Sequence, residues 1–367
     1  MNELFKSYPL LKEKLLYVSI GNFPTPVEKL ENMGKKLGLN HLYIKRDDLS
    51  GTIYGGNKVR KLEFILGQAL KSGVKEVLTF GFAGSNHALA TAIYANKLGL
   101  RSISMLFPQT NAHYVRKNLL MSYYSNAELH QYPNKPIIGF GVIYQLLRHK
   151  LKYKHFPSVI APGGSSILGT IGFVNAAFEL KKQIDENTVH EPDYIYVAMG
   201  TMGTAAGLLL GLKAANIKSK IIPICVVDKK MANIEKLKKL FHITNSYLNS
   251  LDKSFPVLEF PVGQIRVNHD FFGKQYSLFT KEGVQAVDWM KNTEGINLEG
   301  SYTGKTFAAL ISDANKKNLK DDVIIFWNTY NSIDFSDSIA KINYKNLPNA
   351  FHSYFEKEVQ QLDIHSS

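Results

Sequence analysis

A lysine follows two glycines at the predicted start of a helix. Lys58 stands within residues 55–63, and apolar residues recur at spacings of three and four over residues 62–70, which predicts an amphipathic helix. Burial of an ammonium group costs free energy and lowers its pKa, so a lysine here suits an amine that forms a Schiff base with an aldehyde cofactor. The alternative interpretation is a solvated basic helix face that includes Arg60 and Lys61.

A second set of polar side chains follows a strand-like run and begins a helix. Ser85, Asn86 and His87 come after the run at residues 76–80. Asn86 could donate a hydrogen bond to a phenolate oxygen, and Ser85 would lie near a substrate carboxylate or a labile proton. The helix N-terminus offers further donors to an anion. Ser85 or Asn86 could equally serve only as the N-cap.

Two glycine-containing loops follow later strand-like runs. Gly163, Gly164 and Ser165 either allow close backbone approach to a ligand or simply join a strand to a helix. The second loop suits a single phosphate, through backbone N–H groups and threonine hydroxyls. Its residues are Gly200, Thr201, Met202, Gly203 and Thr204. Dinucleotide binding competes, because Asp228 follows about twenty residues later, but the glycine spacing differs from the dinucleotide pattern.

A tyrosine late in the chain precedes a helix rich in alanine. Tyr302, within residues 299–305, could act in acid–base chemistry or orient a substrate, or it could be a packed loop aromatic among nineteen tyrosines. The eleven histidines show no metal-ligand spacing, and no Ser-His-Asp order is evident. The sequence therefore predicts no metal site.

Strand-like runs alternate with helical patterns along most of the chain, which predicts βαβ crossovers and an α/β fold with mostly parallel sheets. In such folds ligands bind at the carboxyl ends of the strands, where the motifs above stand. The strand-like runs are residues 42–45, 76–80, 102–106, 159–161, 194–198, 221–227 and 323–327.

Composition indicates a soluble globular protein. At 367 residues, with 45% hydrophobic and 20% charged residues, the chain is long enough for two domains. The single cysteine, Cys225, lies in an apolar run and allows no intramolecular disulfide. The first residues lack the apolar core of a signal peptide, and no stretch reaches transmembrane length. We expect a cytoplasmic location and no membrane partner.

The net charge of +13 raises the alternative of nucleic-acid binding. The basic residues are scattered, however, and the densest runs, residues 148–155 and 236–239, belong to no nucleic-acid-binding signature. A lysine-rich solvated surface therefore explains the charge, and we expect no nucleic-acid partner. A positive field would still attract an anionic cofactor or an amino-acid carboxylate.

Together these strings resemble the pyridoxal-phosphate (PLP) enzymes of fold type II. More narrowly, they resemble the branch that contains D-cysteine desulfhydrase and 1-aminocyclopropane-1-carboxylate (ACC) deaminase. Order and spacing agree from about residue 20 to 330, and the combination is specific although no single motif is. The matching strings are Pro24-Thr25-Pro26, Lys45-Arg46-Asp47-Asp48, Gly55 through Glu63, Gly84-Ser85-Asn86-His87, Gly163-Gly164-Ser165 and Tyr302-Thr303-Gly304-Lys305.

The resemblance implies a tryptophan synthase beta-like fold of two open, twisted, mostly parallel sheets flanked by helices. A small α/β domain of residues 55–165 would be inserted into a large PLP-binding domain of residues 1–54 and 166–367. PLP would lie in the cleft between the domains, and the protein would be a homodimer.

The resemblance also implies how the cofactor is held. Lys58 would bind PLP through a Schiff base and later shuttle a proton, and Asn86 would donate to the phenolate oxygen. The loop of residues 200–204 would hold the phosphate. A hydroxyl of Thr303 or Thr329 would face the pyridine nitrogen.

A small amino acid would be the substrate. The implied substrate-binding residues are Ser85, His87, Gly164 and Ser165. The implied catalytic residues are Lys58, Ser85, Tyr276 and Tyr302. For D-cysteine, β-elimination would give sulfide, pyruvate and ammonia. For ACC, ring opening and hydrolysis would give 2-oxobutanoate and ammonia. The ACC-deaminase pattern has a glutamate where this chain has Thr303, which favours the desulfhydrase-like reaction.

The chain departs from the family pattern in three places. Gly84 replaces a glutamine, Met202 interrupts the usual G-S-G-G-T phosphate loop, and residues 328–331 read Asn-Thr-Tyr-Asn instead of His-Thr-Gly-Gly. Larger side chains near the cofactor predict a narrower or differently polar pocket. They also motivate an alternative of another class, a catalytically inactive binding protein with a PLP-enzyme fold.

Overall fold

Two separate, mostly parallel sheets organise the chain. The computed structural model describes residues 2–363. The strands are β1 (Val27–Lys29), β2 (His41–Lys45), β3 (Glu76–Phe82), β4 (Arg101–Phe107), β5 (Glu128–Gln131), β6 (Ser158–Ile160), β7 (Tyr194–Met199), β8 (Lys220–Cys225) and β9 (Val323–Trp327). One sheet has the order β1-β2-β9-β7-β8, in which only the β1–β2 pair is antiparallel. The other has the order β5-β4-β3-β6 and is parallel throughout.

Helices connect the strands and cover the sheets. They are α1 (Glu3–Ser7), α2 (Pro9–Lys14), α3 (Glu31–Leu37), α4 (Lys58–Lys71), α5 (Asn86–Lys97), α6 (His113–Tyr124), α7 (Lys135–Tyr153), α8 (Ile167–Asp185), α9 (Gly203–Ala214), α10 (Ile234–Leu251), α11 (Lys281–Glu294), α12 (Thr303–Lys316), α13 (Ser336–Ile339) and α14 (Ser353–Glu356). Short 3₁₀ turns occur as well, among them Asp47–Leu49 and Pro162–Gly164.

The apolar strand runs explain why both sheets are covered. Almost every residue of β7 and β9 is buried, as expected for parallel strands with helices on both faces. Helices α8 and α9 pack with β7 and β8 in the largest apolar cluster. The predicted α/β class with two mostly parallel sheets flanked by helices is confirmed.

The two sheets draw on different parts of the chain. The four-stranded sheet is built from residues 76–160, and the five-stranded sheet from strands that precede and follow them. The division into domains at residues 55 and 165 stays a prediction. The sequence pattern did not indicate β1 or β5, because three or four residues of mixed polarity show no clear alternation.

A buried ion network ties the start of α4 to the five-stranded sheet and to α8. Arg60 Nη2 lies 2.7 Å from Asp47 Oδ1, and Arg60 Nη1 lies 2.9 Å from Glu179 Oε2. Lys45 Nζ lies 2.6 Å from Glu179 Oε1. All four side chains are buried. Burial alone would raise the pKa of Glu179, but Arg60 and Lys45 lower it to about 2, so the carboxylate stays charged.

The double glycine before α4 fits a space that admits no side chain. A Cβ atom on Gly55 would lie 1.9 Å from the carbonyl oxygen of Asp48, and Gly56 has a φ of +89°. Gly56 N–H donates to Asp47 O at 2.7 Å, and Gly55 N–H donates to Asn331 Oδ1 at 2.6 Å. The chain is therefore held on two sides at the point where α4 begins.

We expect Glu179→Ala to lower the free energy of unfolding by about 3–5 kcal/mol, because it leaves Lys45 and Arg60 buried without this partner. Urea unfolding followed by circular dichroism measures the change. The matched control is Glu31→Ala, which removes an exposed ion pair with Lys29 and should cost less than about 1 kcal/mol. Equal, small effects of both substitutions would show that the network contributes little to stability.

Candidate active site

A cavity of about 610 Å³ lies at the carboxyl ends of strands from both sheets. Its walls come from the first turn of α4 and from the segments that follow β3, β7 and β9, and Pro133, Asn134 and Lys135 at the start of α7 form another part. This is where open α/β sheets bind ligands. The predicted site residues that line the cavity are Lys58, Ser85, Asn86, His87, Gly200, Thr201, Met202, Thr204, Tyr276, Tyr302 and Thr329.

Four other predicted residues lie behind the cavity wall: Gly164, Ser165, Gly203 and Thr303. Ser165 supports the wall through hydrogen bonds to the loop after β7. The direct substrate contacts predicted for Gly164 and Ser165 have no counterpart in this arrangement and stay predictions.

Lys58 is the first residue of α4, and its half-buried side chain lines the cavity. Burial lowers the pKa of Lys58 to about 8. Loss of water contact is the whole cause of this shift. An amine with this pKa is neutral, and hence nucleophilic, in a substantial fraction of molecules near pH 8.

Lys61 lies one turn further along α4 and points at the glycine-containing loops. Its Nζ donates to Gly163 O at 3.1 Å and to Ser165 Oγ at 3.4 Å. Ser165 Oγ is also 2.7 Å from Thr201 Oγ1 and accepts the N–H of Gly203 at 3.1 Å. One buried amino group, two hydroxyls and the N-terminus of α9 therefore meet at one place.

This arrangement fits a phosphate group. Burial and the neighbouring charge of Lys58 lower the pKa of Lys61, and within residues 2–363 no carboxylate pairs with it. A phosphate anion would supply the missing charge partner, and a helix N-terminus adds N–H donors. The side chains of Arg60 and Lys61 are only 1% exposed, so the alternative of a solvated basic helix face is wrong.

Met202 interrupts the glycine loop without blocking it. It takes a left-handed conformation, with a φ of +68°, directly before α9 begins. Its side chain lines the cavity and packs against the apolar cluster around α8 and α9. Thr204 and Ala205, at the start of α9, also line the cavity.

Asn86 begins α5, and Asn118 on α6 fixes its side chain. Asn118 Nδ2 donates to Asn86 Oδ1 and to Gly84 O, both at 2.9 Å. Since Asn86 Oδ1 is engaged, its Nδ2 group is left to donate into the cavity. Ser85 is the N-cap of the same helix and accepts the N–H of Ala88 at 3.2 Å, so the capping interpretation holds for Ser85.

His87 is a buried, neutral wall of the cavity. Burial, together with the positive charges of Lys58 and Lys61, lowers the pKa of His87 well below its usual value. Neither ring nitrogen has a hydrogen-bond partner among residues 2–363. Buried polar atoms are normally paired, so these nitrogens fit a site in which a bound ligand completes the hydrogen bonds.

Two tyrosines of the cavity wall meet through their hydroxyl groups. The hydroxyl oxygens of Tyr276 and Tyr302 are 2.6 Å apart, and burial raises the pKa of both phenols. The ring of Phe82 packs on Tyr276 with 4.5 Å between centroids. Both phenols are therefore protonated and uncharged at neutral pH, so the pair can donate a hydrogen bond or a proton to a ligand.

Glu299 organises the segment before α12. Its carboxylate accepts the N–H groups of Ser301 at 2.7 Å, Tyr302 at 2.6 Å and Thr303 at 2.9 Å. Thr303 Oγ1 in turn accepts the N–H of Glu299 at 2.9 Å. Thr303 is thus occupied behind the wall, and of the two predicted threonines it is Thr329 that lines the cavity.

The residues of the site that were not predicted from the sequence as site residues include Lys61, Asn118, Glu299 and Tyr330. The sequence did carry a usable signal for Lys61. It is three residues after Lys58, and residues three apart lie on the same face of a helix. Asn118 carried none, because it is 32 residues from Asn86 and meets it only through the packing of α5 on α6.

The described part of the chain contains no set of side chains arranged as metal ligands. Residues 2–363 contain no group of three His, Cys, Asp or Glu side chains that could hold a metal ion.

None of the helices described in residues 2–363 is long and apolar enough to cross a membrane.

Comparisons with known proteins agree with this geometry. The family model described as "Pyridoxal-phosphate dependent enzyme" matches residues 18–329. The "Putative 1-aminocyclopropane-1-carboxylate deaminase" of Pyrococcus horikoshii is 33% identical over 315 residues, which cover 86% of this chain and 91% of that protein. The D-cysteine desulfhydrase of Serratia proteamaculans is 33% identical over 311 residues, which cover 81% of this chain and 88% of that protein.

A solved structure extends the agreement to the fold. The crystal structure of an ACC deaminase homologue superposes with a TM-score of 0.75 at 31% identity, over 93% of this chain and 99% of that one. The resemblance drawn from the sequence strings is confirmed, as is PLP as the cofactor. The chain belongs to the family of pyridoxal-phosphate-dependent enzymes.

Proposed function

We propose that this enzyme is a PLP-dependent lyase for which D-cysteine is the preferred substrate. The observation that carries the proposal is a single cavity in which the amine of Lys58, with its lowered pKa, lies with the hydroxyl pair of Tyr276 and Tyr302. Such a cavity can both remove a proton and supply one. The similarity to a D-cysteine desulfhydrase supports the choice of substrate.

The side chains of the cavity fit PLP. Lys61 and the loop of residues 200–204 would hold the phosphate, and Asn86 Nδ2 would donate to the phenolate oxygen. Thr329 would face the pyridine nitrogen, and Lys58 would bind the aldehyde carbon. When bound, PLP withdraws electrons from the α-carbon of an attached amino acid and weakens its bonds.

The protein side chains would then direct proton transfer. Lys58 would take the proton from the α-carbon, and Tyr302, paired with Tyr276, would give a proton to the departing sulfur. The proton taken by Lys58 would then restore the tyrosine pair. The C–H bond at the α-carbon and the C–S bond at the β-carbon break, and hydrogen sulfide leaves. Addition of water to the remaining fragment gives pyruvate and ammonia. Ser85 and His87 would bind the substrate carboxylate. Ser85 is the N-cap of α5, and both ring nitrogens of His87 lack a hydrogen-bond partner among residues 2–363.

ACC deamination is the second candidate, and the solved structure of an ACC deaminase homologue supports it. Thr303, however, stands where the ACC-deaminase pattern has a glutamate, and its hydroxyl is bonded to the Glu299 backbone. A hydroxyl, such as that of Thr329, would leave the pyridine nitrogen mostly neutral and weaken electron withdrawal. This favours β-elimination over ring opening.

Loss of catalysis is the third candidate, motivated by Tyr330 and Asn331 in place of two glycines. Both line the cavity. Asn331 also has a structural task, since its Oδ1 accepts the N–H of Gly55 before α4. We therefore interpret the change at Asn331 as support for the Lys58 position rather than as damage to the site.

The proposal also covers the location, the oligomeric state and the domain division of the enzyme. We propose a cytoplasmic homodimer, with residues 1–54 and 166–367 as the PLP-binding domain and residues 55–165 as the small domain. The buried single cysteine, Cys225, is compatible with a reducing compartment, and the two separate sheets support the division of the chain.

D-cysteine added to the PLP-loaded protein should shift the visible absorbance band of the cofactor and release sulfide and pyruvate in equal amounts. Lys58→Ala should abolish both the band and turnover, because it removes the amine. The matched variant Lys61→Gln, on the same helix, should keep the band but weaken PLP binding. Faster turnover of ACC than of D-cysteine would replace the proposed substrate, and wild-type turnover by Lys58→Ala would refute the role of Lys58.

We expect Tyr302→Phe to lower kcat by at least about 100-fold, because the departing group loses its proton donor. The PLP dissociation constant should change by less than about threefold, since one hydroxyl is removed from the substrate side. The control is Tyr196→Phe, a tyrosine bonded to Asp313 away from the cavity, which should leave kcat unchanged. Parallel losses of turnover and PLP binding would instead make Tyr302 a structural residue.

Asn118→Leu should weaken PLP binding by up to about tenfold, because the Asn86 amide is no longer held in one orientation. A double-mutant cycle with Asn86→Ala checks the route of the effect. If Asn118 acts only through Asn86, the double variant binds PLP as Asn86→Ala does. Losses that multiply in the double variant would mean that Asn118 supports the cavity in another way.

A further inference from the structure

Helix α7 turns its most apolar face toward solvent. The side chains of Phe140 and Leu151 are each 75% exposed, and that of Tyr144 is 62% exposed. Spacings of three and four place the exposed residues on one face of the helix. The residues of this outer face are Ile137, Phe140, Ile143, Tyr144, Leu147 and Leu151.

The face of α7 that packs on the protein is more polar than its outer face. Its buried residues are Ile138, Gln145 and His149, and the partly buried Val142 packs in the same apolar cluster as Ile138. Gln145 donates to Glu128 Oε1 at 3.2 Å, and His149 Nδ1 lies 2.6 Å from the carbonyl oxygen of His155. A helix on the surface of a soluble protein normally has the opposite arrangement. A contiguous exposed apolar face of this kind marks an interaction surface.

Positive charge lies beside the outer face and at the C-terminal end of α7. From residue 135 to 156 the chain has no aspartate or glutamate. Arg148 is paired with Glu128 at 2.8 Å, and the lysines near the C-terminal end of α7 have no ion pair within residues 2–363. These lysines are Lys150, Lys152 and Lys154, and all three are exposed. At 100° per residue, Lys150 borders the apolar stripe on one side, while Lys152 and the C-cap residue Lys154 lie at the C-terminal end of the helix.

We propose that α7 docks on the surface of an anionic lipid bilayer. An exposed apolar stripe with lysines beside it and at its C-terminal end, and with no acidic residue, is typical of helices that lie in the plane of a membrane interface. The lysines would meet the lipid phosphates while the apolar side chains enter the boundary of the acyl chains. This contact is peripheral. It departs from the expectation, drawn from the absence of a spanning segment, that the protein has no membrane partner.

A second copy of the chain fits the same face less well. Pairing of two α7 helices would bring together two sets of lysines, and α7 offers no carboxylate to balance them. An anionic lipid surface is complementary to the same charges. Charge complementarity therefore selects the lipid surface over self-association at this face.

The experiment is sedimentation of the PLP-loaded full chain with vesicles of phosphatidylglycerol or of phosphatidylcholine. We expect at least about tenfold more bound protein on phosphatidylglycerol at 0.1 M salt, and a strong reduction at 0.5 M salt. The variant Phe140→Asp/Leu151→Asp should lose binding through the apolar stripe. The variant Lys150→Gln/Lys152→Gln should lose the preference for anionic lipid. Both should retain the turnover of the wild type, because these residues lie outside the cavity.

The matched control is Val257→Asp, which changes an exposed valine far from α7 in the sequence and should leave vesicle binding unchanged. Two outcomes overturn the proposal. One is equal binding of the wild type and Phe140→Asp/Leu151→Asp to phosphatidylglycerol. The other is a fall in molar mass, by light scattering, from dimer to monomer in that variant, which would show that a second copy covers the face.

Discussion

The pairing of Arg60 with Asp47 and Glu179 is the interaction on which the site depends. Burial of these charges costs several kcal/mol each, so they are stable inside the protein only as partners of one another. Because the partners come from the turn after β2, from α4 and from α8, their pairing fixes the direction in which α4 starts. Lys58, two residues before Arg60, is placed in the cavity as a result.

The first turns of α4 give three cationic side chains three different environments. Arg60 is neutralised by two carboxylates, Lys58 borders the cavity with a pKa of about 8, and Lys61 is buried against the glycine loops. One short helical segment thus supplies structural support, a reactive amine and an anion site. The helical period separates the structural support from the site: Arg60, two residues after Lys58, points in another direction, whereas Lys61, three residues after Lys58, shares its face.

The sequence predicted features that depend on local pattern. The apolar strand runs, the lysine after two glycines and the N-cap at Ser85 all lie within short windows, and the structure has the strands and the cap where the pattern indicates them. Features that depend on packing escaped prediction. The contact of Asn118 with Asn86 requires α5 and α6 to be adjacent, and the choice between Thr303 and Thr329 requires the position of Glu299. The outward face of α7 shows the same limit, since an apolar period alone does not say which side of a helix is buried.

Helix α7 also begins at the cavity wall, because Pro133, Asn134 and Lys135 line the cavity and Asn134 caps the helix. A helix of 19 residues is a stiff rod of about 28 Å, so its outer face and the cavity edge belong to one mechanical unit. If binding at the outer face of α7 and ligand binding in the cavity affect each other, the effect must be reciprocal. Any occupant of the outer face that tightens ligand binding in the cavity by some factor must itself be bound more tightly, by that same factor, when the ligand is present.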